Sequence, residues 1–93
     1  MALIIPVDDS SSTSAEFAAT IAAPVTLSLE PAAGQSLPSD ASAEVQRETA
    51  ASEWMTVGHM AATPIESRMF NLAANGSFRV VKAKRGAYGV DKS

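Results

Sequence analysis

Apolar and polar side chains alternate with a period of two over much of this chain. In the run Val25-Thr26-Leu27-Ser28-Leu29-Glu30, Val25, Leu27 and Leu29 fall on one side and Thr26, Ser28 and Glu30 on the other. That pattern predicts an antiparallel strand with one buried and one wet face. Leu3 to Val7 reads as a short edge strand, because Pro6 has no N–H to give to a central ladder. The polar run from Asp8 to Ser14 reads as a loop. From Ala15 to Ile21, Ala15, Phe17, Ala19 and Ile21 share a face at period two, yet Phe17 and Ile21 also stand four apart behind the helix-capping residue Ser14. The strand reading is favoured and the helical one stays open.

After Pro31 comes a connection of small and turn-forming residues, Ala32 to Asp40. Ala41 to Ala51 is rich in helix formers, but its apolar residues form no stripe at 3.6. Alternation fits better, with Glu44, Gln46 and Glu48 outside and Ala43, Val45 and Thr49 inside. Arg47 then interrupts the inner face unless it reaches past the end of the strand. Trp54 to Met60 has the bulky and β-branched residues of a strand. Beyond Thr63-Pro64, Ile65 to Leu72 carries spaced apolar residues. Asn75-Gly76 supplies the positive φ of a tight hairpin, with Ser77 to Lys84 returning as the partner strand, Phe78 and Val80 on one face and Arg79 and Val81 on the other. The expectation is an all-β fold, a small antiparallel β-sandwich of about seven short strands with extended termini. Residues 1–14 form an N-terminal arm or edge strand, 15–84 the sandwich and 85–93 a C-terminal tail.

Composition makes the core thin. Of 93 residues, 46% are apolar, but 18 are Ala, and Leu, Ile, Val and Phe together number 19. That is close to the ~20% level where globular packing becomes doubtful. A chain this short buries roughly 60–65% of its unfolded surface, and no cysteine is present to staple it. Oligomerisation or docking is the expected aid. Trp54, Phe78, Leu27 and Leu29 are the expected core anchors. The N-terminus lacks a basic region and meets Asp8-Asp9 where a signal peptide would stay apolar, and the longest uncharged apolar stretch, Phe17 to Leu29, is too short to cross a bilayer. A soluble protein with no membrane association is expected.

Charge is sorted along the chain. Residues 1–66 hold nine carboxylates against Arg47, whereas residues 67–93 hold Arg68, Arg79, Lys82, Lys84, Arg85 and Lys92 against Asp91. This predicts a dipolar molecule that orients itself against a charged partner. The catalytic inventory is poor: the chain has one histidine, His59, with no nucleophile elbow, no glycine-rich phosphate loop and no ligand spacing for a metal. No enzyme activity and no cofactor are expected. Nucleic-acid binding by the basic strand is disfavoured by the pI near 4.9 and the lack of interleaved aromatics. Arg79, Lys82, Lys84 and Arg85, with Leu3 and Ile5 of the edge strand, are the expected partner-binding residues.

The order of features resembles small virion proteins of tailed bacteriophages, in particular capsid cement or decoration proteins. The residues that carry it are Leu3-Ile4-Ile5-Pro6-Val7, Glu16-Phe17 leading into Pro24 to Leu29, Trp54 with Val57, the stretch Asn75 to Lys82, and Gly89-Val90. Where such proteins often place a tyrosine ahead of an Arg-Val strand, Phe78 stands here, so a hydroxyl-mediated corner is not expected at that point. The resemblance implies a structural protein, made in the host cytoplasm and resident on the virion. It would bind the outer surface of an icosahedral capsid, bridge major capsid subunits and stabilise the shell, with neighbouring copies or a homo-oligomer as further partners. A small tail or neck component fits the same outline.

Overall fold

The structure, a computed structural model, describes residues 2–93. Among them are nine strands: β1 (Ala2–Asp8), β2 (Ser12–Thr13), β3 (Phe17–Ala19), β4 (Val25–Pro31), β5 (Ser42–Glu48), β6 (Trp54–Ala61), β7 (Met69–Leu72), β8 (Gly76–Lys82) and β9 (Tyr88–Lys92). A 3-10 turn, Ile65–Arg68, precedes β7. One sheet has the order β1-β9-β4-β7 and the other β2-β8-β5-β6, with β3 pairing β8 beyond the end of β2. Every pairing is antiparallel. The chain is a β-sandwich, as its alternation predicts, and Ala41–Ala51 contributes a strand.

Period-two patterning explains the core. Leu27 and Leu29 from β4, Ala43 and Val45 from β5, Phe78 and Val80 from β8, and Val90 from β9 all point between the sheets and are buried. Ile5 joins them from β1. The many alanines do not only dilute the core, since Ala19, Ala41, Ala43 and Ala62 are buried within it. Small residues let the layers fill their space with few large side chains.

The N-terminus forms an edge strand, β1, while the C-terminus differs from the expectation of a tail. β1 pairs β9, and β9 runs between β1 and β4 as an inner strand. Residues 85–93 therefore hold the first sheet together. Pro6 sits where its missing donor is tolerated, since β1 is an edge. The register of β1 shifts twice against β9, and at the second shift its backbone passes directly over Gly89, where a Cβ would collide with Ile5 O.

Asn75-Gly76 does not close a hairpin between β7 and β8. β7 pairs β4 in the first sheet, while β8 pairs β5 in the second, so the turn carries the chain across the sandwich. Gly76 does use a positive φ, 155°. Asn75 accepts the Ile21 N–H through Oδ1 (3.1 Å) and an Arg47 N–H through its carbonyl (3.0 Å). Arg47, on the inner face of β5, does reach past the end of the core. Between β2 and β3, Ser14 keeps the second sheet continuous: its N–H donates to Val80 O (2.8 Å) and its Oγ accepts the Val80 N–H (2.9 Å).

Gly89→Ala drives a methyl group into the β1 backbone. It is expected to lower unfolding stability by about 2–3 kcal/mol, as overpacking at a rigid site does, read as a drop in the urea midpoint at unchanged slope.

Candidate functional site

The basic C-terminal strand is the first place to look for a binding surface, and its chemistry turns inward. Alternation along β8 continues from Phe78 and Val80 to Lys82, whose side chain is 0% exposed. Its ammonium donates to three carbonyls, Asp8 O (2.6 Å), Gly86 O (2.8 Å) and Tyr88 O (2.6 Å), which saturates its donors. The same Nζ lies 4.3 Å from the centre of the Tyr88 ring, a cation–π contact. Burial pushes the Lys82 amine below its ordinary pKa, while the nearby Asp8 and Asp9 carboxylates oppose that shift. Ser10, through its hydroxyl and its amide, holds the Asp8 carboxyl below the usual carboxylate value. Lys82 is thus a structural bolt between the sheets and does not face a partner.

Tyr88 completes this end of the molecule. Its ring is fully buried, and its hydroxyl donates to Ser42 O (2.9 Å) and accepts the Ser42 N–H (3.2 Å). A hydroxyl-mediated corner therefore exists, built by Tyr88 and not at the Phe78 position. The sequence signal for Lys82 was its period-two spacing from Val80, which charge obscured.

The other expected contact residues divide. Arg79 stacks over Trp54 (4.4 Å to the ring centre) and donates to Gln46 Oε1 (2.7 Å). Arg85 donates to Asp9 O (2.9 Å) and pairs with the Asp9 carboxylate at 3.6 Å. Lys84 is exposed. Leu3 is exposed on the β1 edge, whereas Ile5 is buried. Of the expected core anchors, Phe78, Leu27 and Leu29 lie in the core, but Trp54 does not. It pairs with Glu48 on the outer face of the second sheet, half-buried under Arg79.

Charge sorted in sequence is mixed in space. β8, with its basic residues, lies between β5, carrying Glu44 and Glu48, and β2, close to Asp8 and Asp9. The basic strand and part of the acidic half of the sequence are therefore neighbours in the fold. His59 stands exposed opposite Glu44 on the outer face, and among the described residues no group of three His, Cys, Asp or Glu gathers to hold a metal. Asp91, by contrast, is buried in register with Leu3 and Ser28, and its Oδ1 has no hydrogen-bond partner.

The opposite side of the sandwich is open. β6 and β7 are the edges of their sheets, and beside them stand the exposed apolar side chains Met55, Val57, Ile65 and Met69. Between the edges lies a cleft of about 490 Å³, lined by Val57, Phe70, Leu72 and Phe78, with Arg47 and Asn75 at one end. A bulge opposite Val45 and Gln46 inserts Val57 as an extra residue in β6, and such bulges re-aim side chains. The Phe70 ring occupies the space beside Gly58, leaving no room for a Cβ there. Sequence reading missed this side because Met55, Val57 and Met69 look like ordinary strand residues until the sheet order makes β6 and β7 edges. The chain matches no protein-family model, no curated protein and no solved structure.

Lys82→Met removes the ammonium and leaves carbonyls without their donor. A loss of about 2–4 kcal/mol of stability is expected from unsatisfied buried acceptors, against less than about 0.5 kcal/mol for Lys84→Met on the surface. Parallel thermal and urea melts of the two variants check the contrast.

Proposed function

We propose that this chain is a non-enzymatic adhesion protein that fastens onto a larger protein shell through its uncovered β6/β7 side. The observation that carries the reading is the gathering of Met55, Val57, Ile65 and Met69 beside a free strand edge. Edge strands in monomers are normally blunted by lysine, proline or inward-pointing charge. From Trp54 to Gly58, β6 carries no lysine, proline or charge, and its one blunting device is the bulge at Val57. A free edge offers main-chain hydrogen bonds to an added strand, and the flanking apolar side chains offer area to bury.

The resemblance to capsid cement proteins supplies the kind of shell. In this reading the protein attaches to the outside of an icosahedral capsid, bridges neighbouring major capsid subunits and stiffens the lattice. Such a role needs no reaction chemistry. Its strength comes from many copies, each held modestly and all engaged together. The Lys82–Tyr88 end supports the role mechanically, because it ties the end of β1 and the start of β9 to the second sheet and leaves one side free to dock.

Single substitutions Met55→Asp and Val57→Asp place a charge on the docking side without touching the buried core. Each is expected to reduce occupancy on purified shells at least tenfold in co-sedimentation, while Thr13→Asp, on the far edge strand β2, leaves it within twofold. Wild-type occupancy of both aspartate variants contradicts the reading.

A further inference from the structure

Resting on the docking reading above, we propose that the β6/β7 cleft recognises a specific chemistry: an extended partner segment in which an apolar side chain is followed two residues later, on the same face, by a carboxylate. The main chain of that segment pairs with the free edge of β6, its apolar side chain enters the cleft over Phe70, Leu72 and Phe78, and its carboxylate meets Arg47.

Arg47 is the reason for the carboxylate. Lys82, Arg79 and Arg85 all spend their charge on groups of this chain, through buried carbonyls, the Trp54 ring with Gln46, and Asp9 respectively. Arg47 makes one hydrogen bond, from Nη2 to Asn75 O. Among the described residues, no carboxylate lies within ion-pair distance of it; the pair found is Arg85–Asp9. Four of its five N–H donors are left for a ligand.

Its position is held by the backbone. Gly76 has no side chain, and a Cβ there would lie 2.7 Å from Arg47 Nε, so the guanidinium rests in space that only glycine leaves open. Asn75 O holds one prong of the fork. The result is a pre-placed planar cation at the end of an apolar cleft, and guanidinium favours the two oxygens of a carboxylate over other acceptors on a polypeptide.

Cleft and edge together set the rest of the ligand. A volume of about 490 Å³ with aromatic and aliphatic walls suits one large apolar side chain plus part of its neighbour. An extended segment is required, because the pairing partner on offer is a strand edge. A second copy of this chain fits poorly: the large apolar side chain that it sets two residues before a carboxylate, Val7 ahead of Asp9, is held in β1, and the Asp9 carboxylate is paired with Arg85.

The test is an NMR titration of the isotope-labelled full chain with two acetylated, amidated pentapeptides, Thr-Val-Leu-Thr-Asp, which sets Leu and Asp on one face, and its twin ending in Thr-Asn. The expected result is movement of the amide signals of Trp54 to His59 and of the Arg47 side-chain N–H, with the aspartate peptide at least fivefold tighter. Arg47→Gln erases that preference, Arg47→Lys keeps part of it, and Val57→Asp removes binding of both peptides; melting curves of each variant establish that it is folded. Equal affinity for the two peptides, with β6 still responding, overturns the carboxylate assignment and leaves the docking reading standing. No response of β6 to either peptide overturns the cleft assignment, and shell attachment of Val57→Asp then judges the docking reading separately. Concentration-dependent shifts on β6 without peptide overturn the proposal in favour of a second copy.

Discussion

One buried ammonium fixes the geometry of this sandwich. Removing Lys82 from water costs several kcal/mol unless all its donors are satisfied, and the chain meets that condition with carbonyls from three separate places, the end of β1, the loop before β9 and the start of β9. Charge-assisted hydrogen bonds of this kind are about twice as strong as neutral ones. Because their acceptors belong to the first sheet or its approach and the donor to the second, the bolt sets how the layers meet. Arg85 repeats the device at the surface by gripping Asp9 through both its backbone and its side chain.

The division of labour between the two ends of the molecule follows from this. At the Lys82–Tyr88 end, the Lys82 and Arg85 cations, several carbonyls and a tyrosine hydroxyl are used up internally, and the end of β1 and the start of β9 are tied down. At the β6/β7 side, the sheets diverge around a cleft, and the exposed apolar residues and an uncommitted guanidinium remain available. A core with few large side chains can tolerate such an opening because its closed end is held by specific polar contacts. Binding specificity then depends on where the chain has left groups without partners, not on its overall charge.

Much of the fold was legible in local pattern. Val25–Glu30 and Ala41–Ala51 alternate, and alternation places side chains on opposite faces whatever the neighbouring strand is. Pro6 marked an edge for the same local reason. Asn75-Gly76 misled because turn chemistry specifies a backbone bend and not the strand that follows; pairing of β7 with β4 is decided by Leu72 and Phe70 lying beside Val25 and Leu27. Lys82 misled because charge suggests solvent, and only the carbonyls brought together by β1 and β9 make its burial tolerable. Trp54 looked like core by size, yet its register opposite Glu48 puts it on the outer face. The candidate binding side was illegible for a related reason: edges are a property of sheet order, which no single strand encodes.

Amine acylation followed by mass spectrometry tests the Lys82 bolt most directly, since it reads each lysine of the native protein separately. The account predicts that Lys84 is modified rapidly while Lys82 reacts only as the whole sandwich unfolds, at least a hundredfold more slowly, and accelerates sharply at the denaturant midpoint. Lys82 and Lys84 reacting at similar rates in native buffer would contradict it.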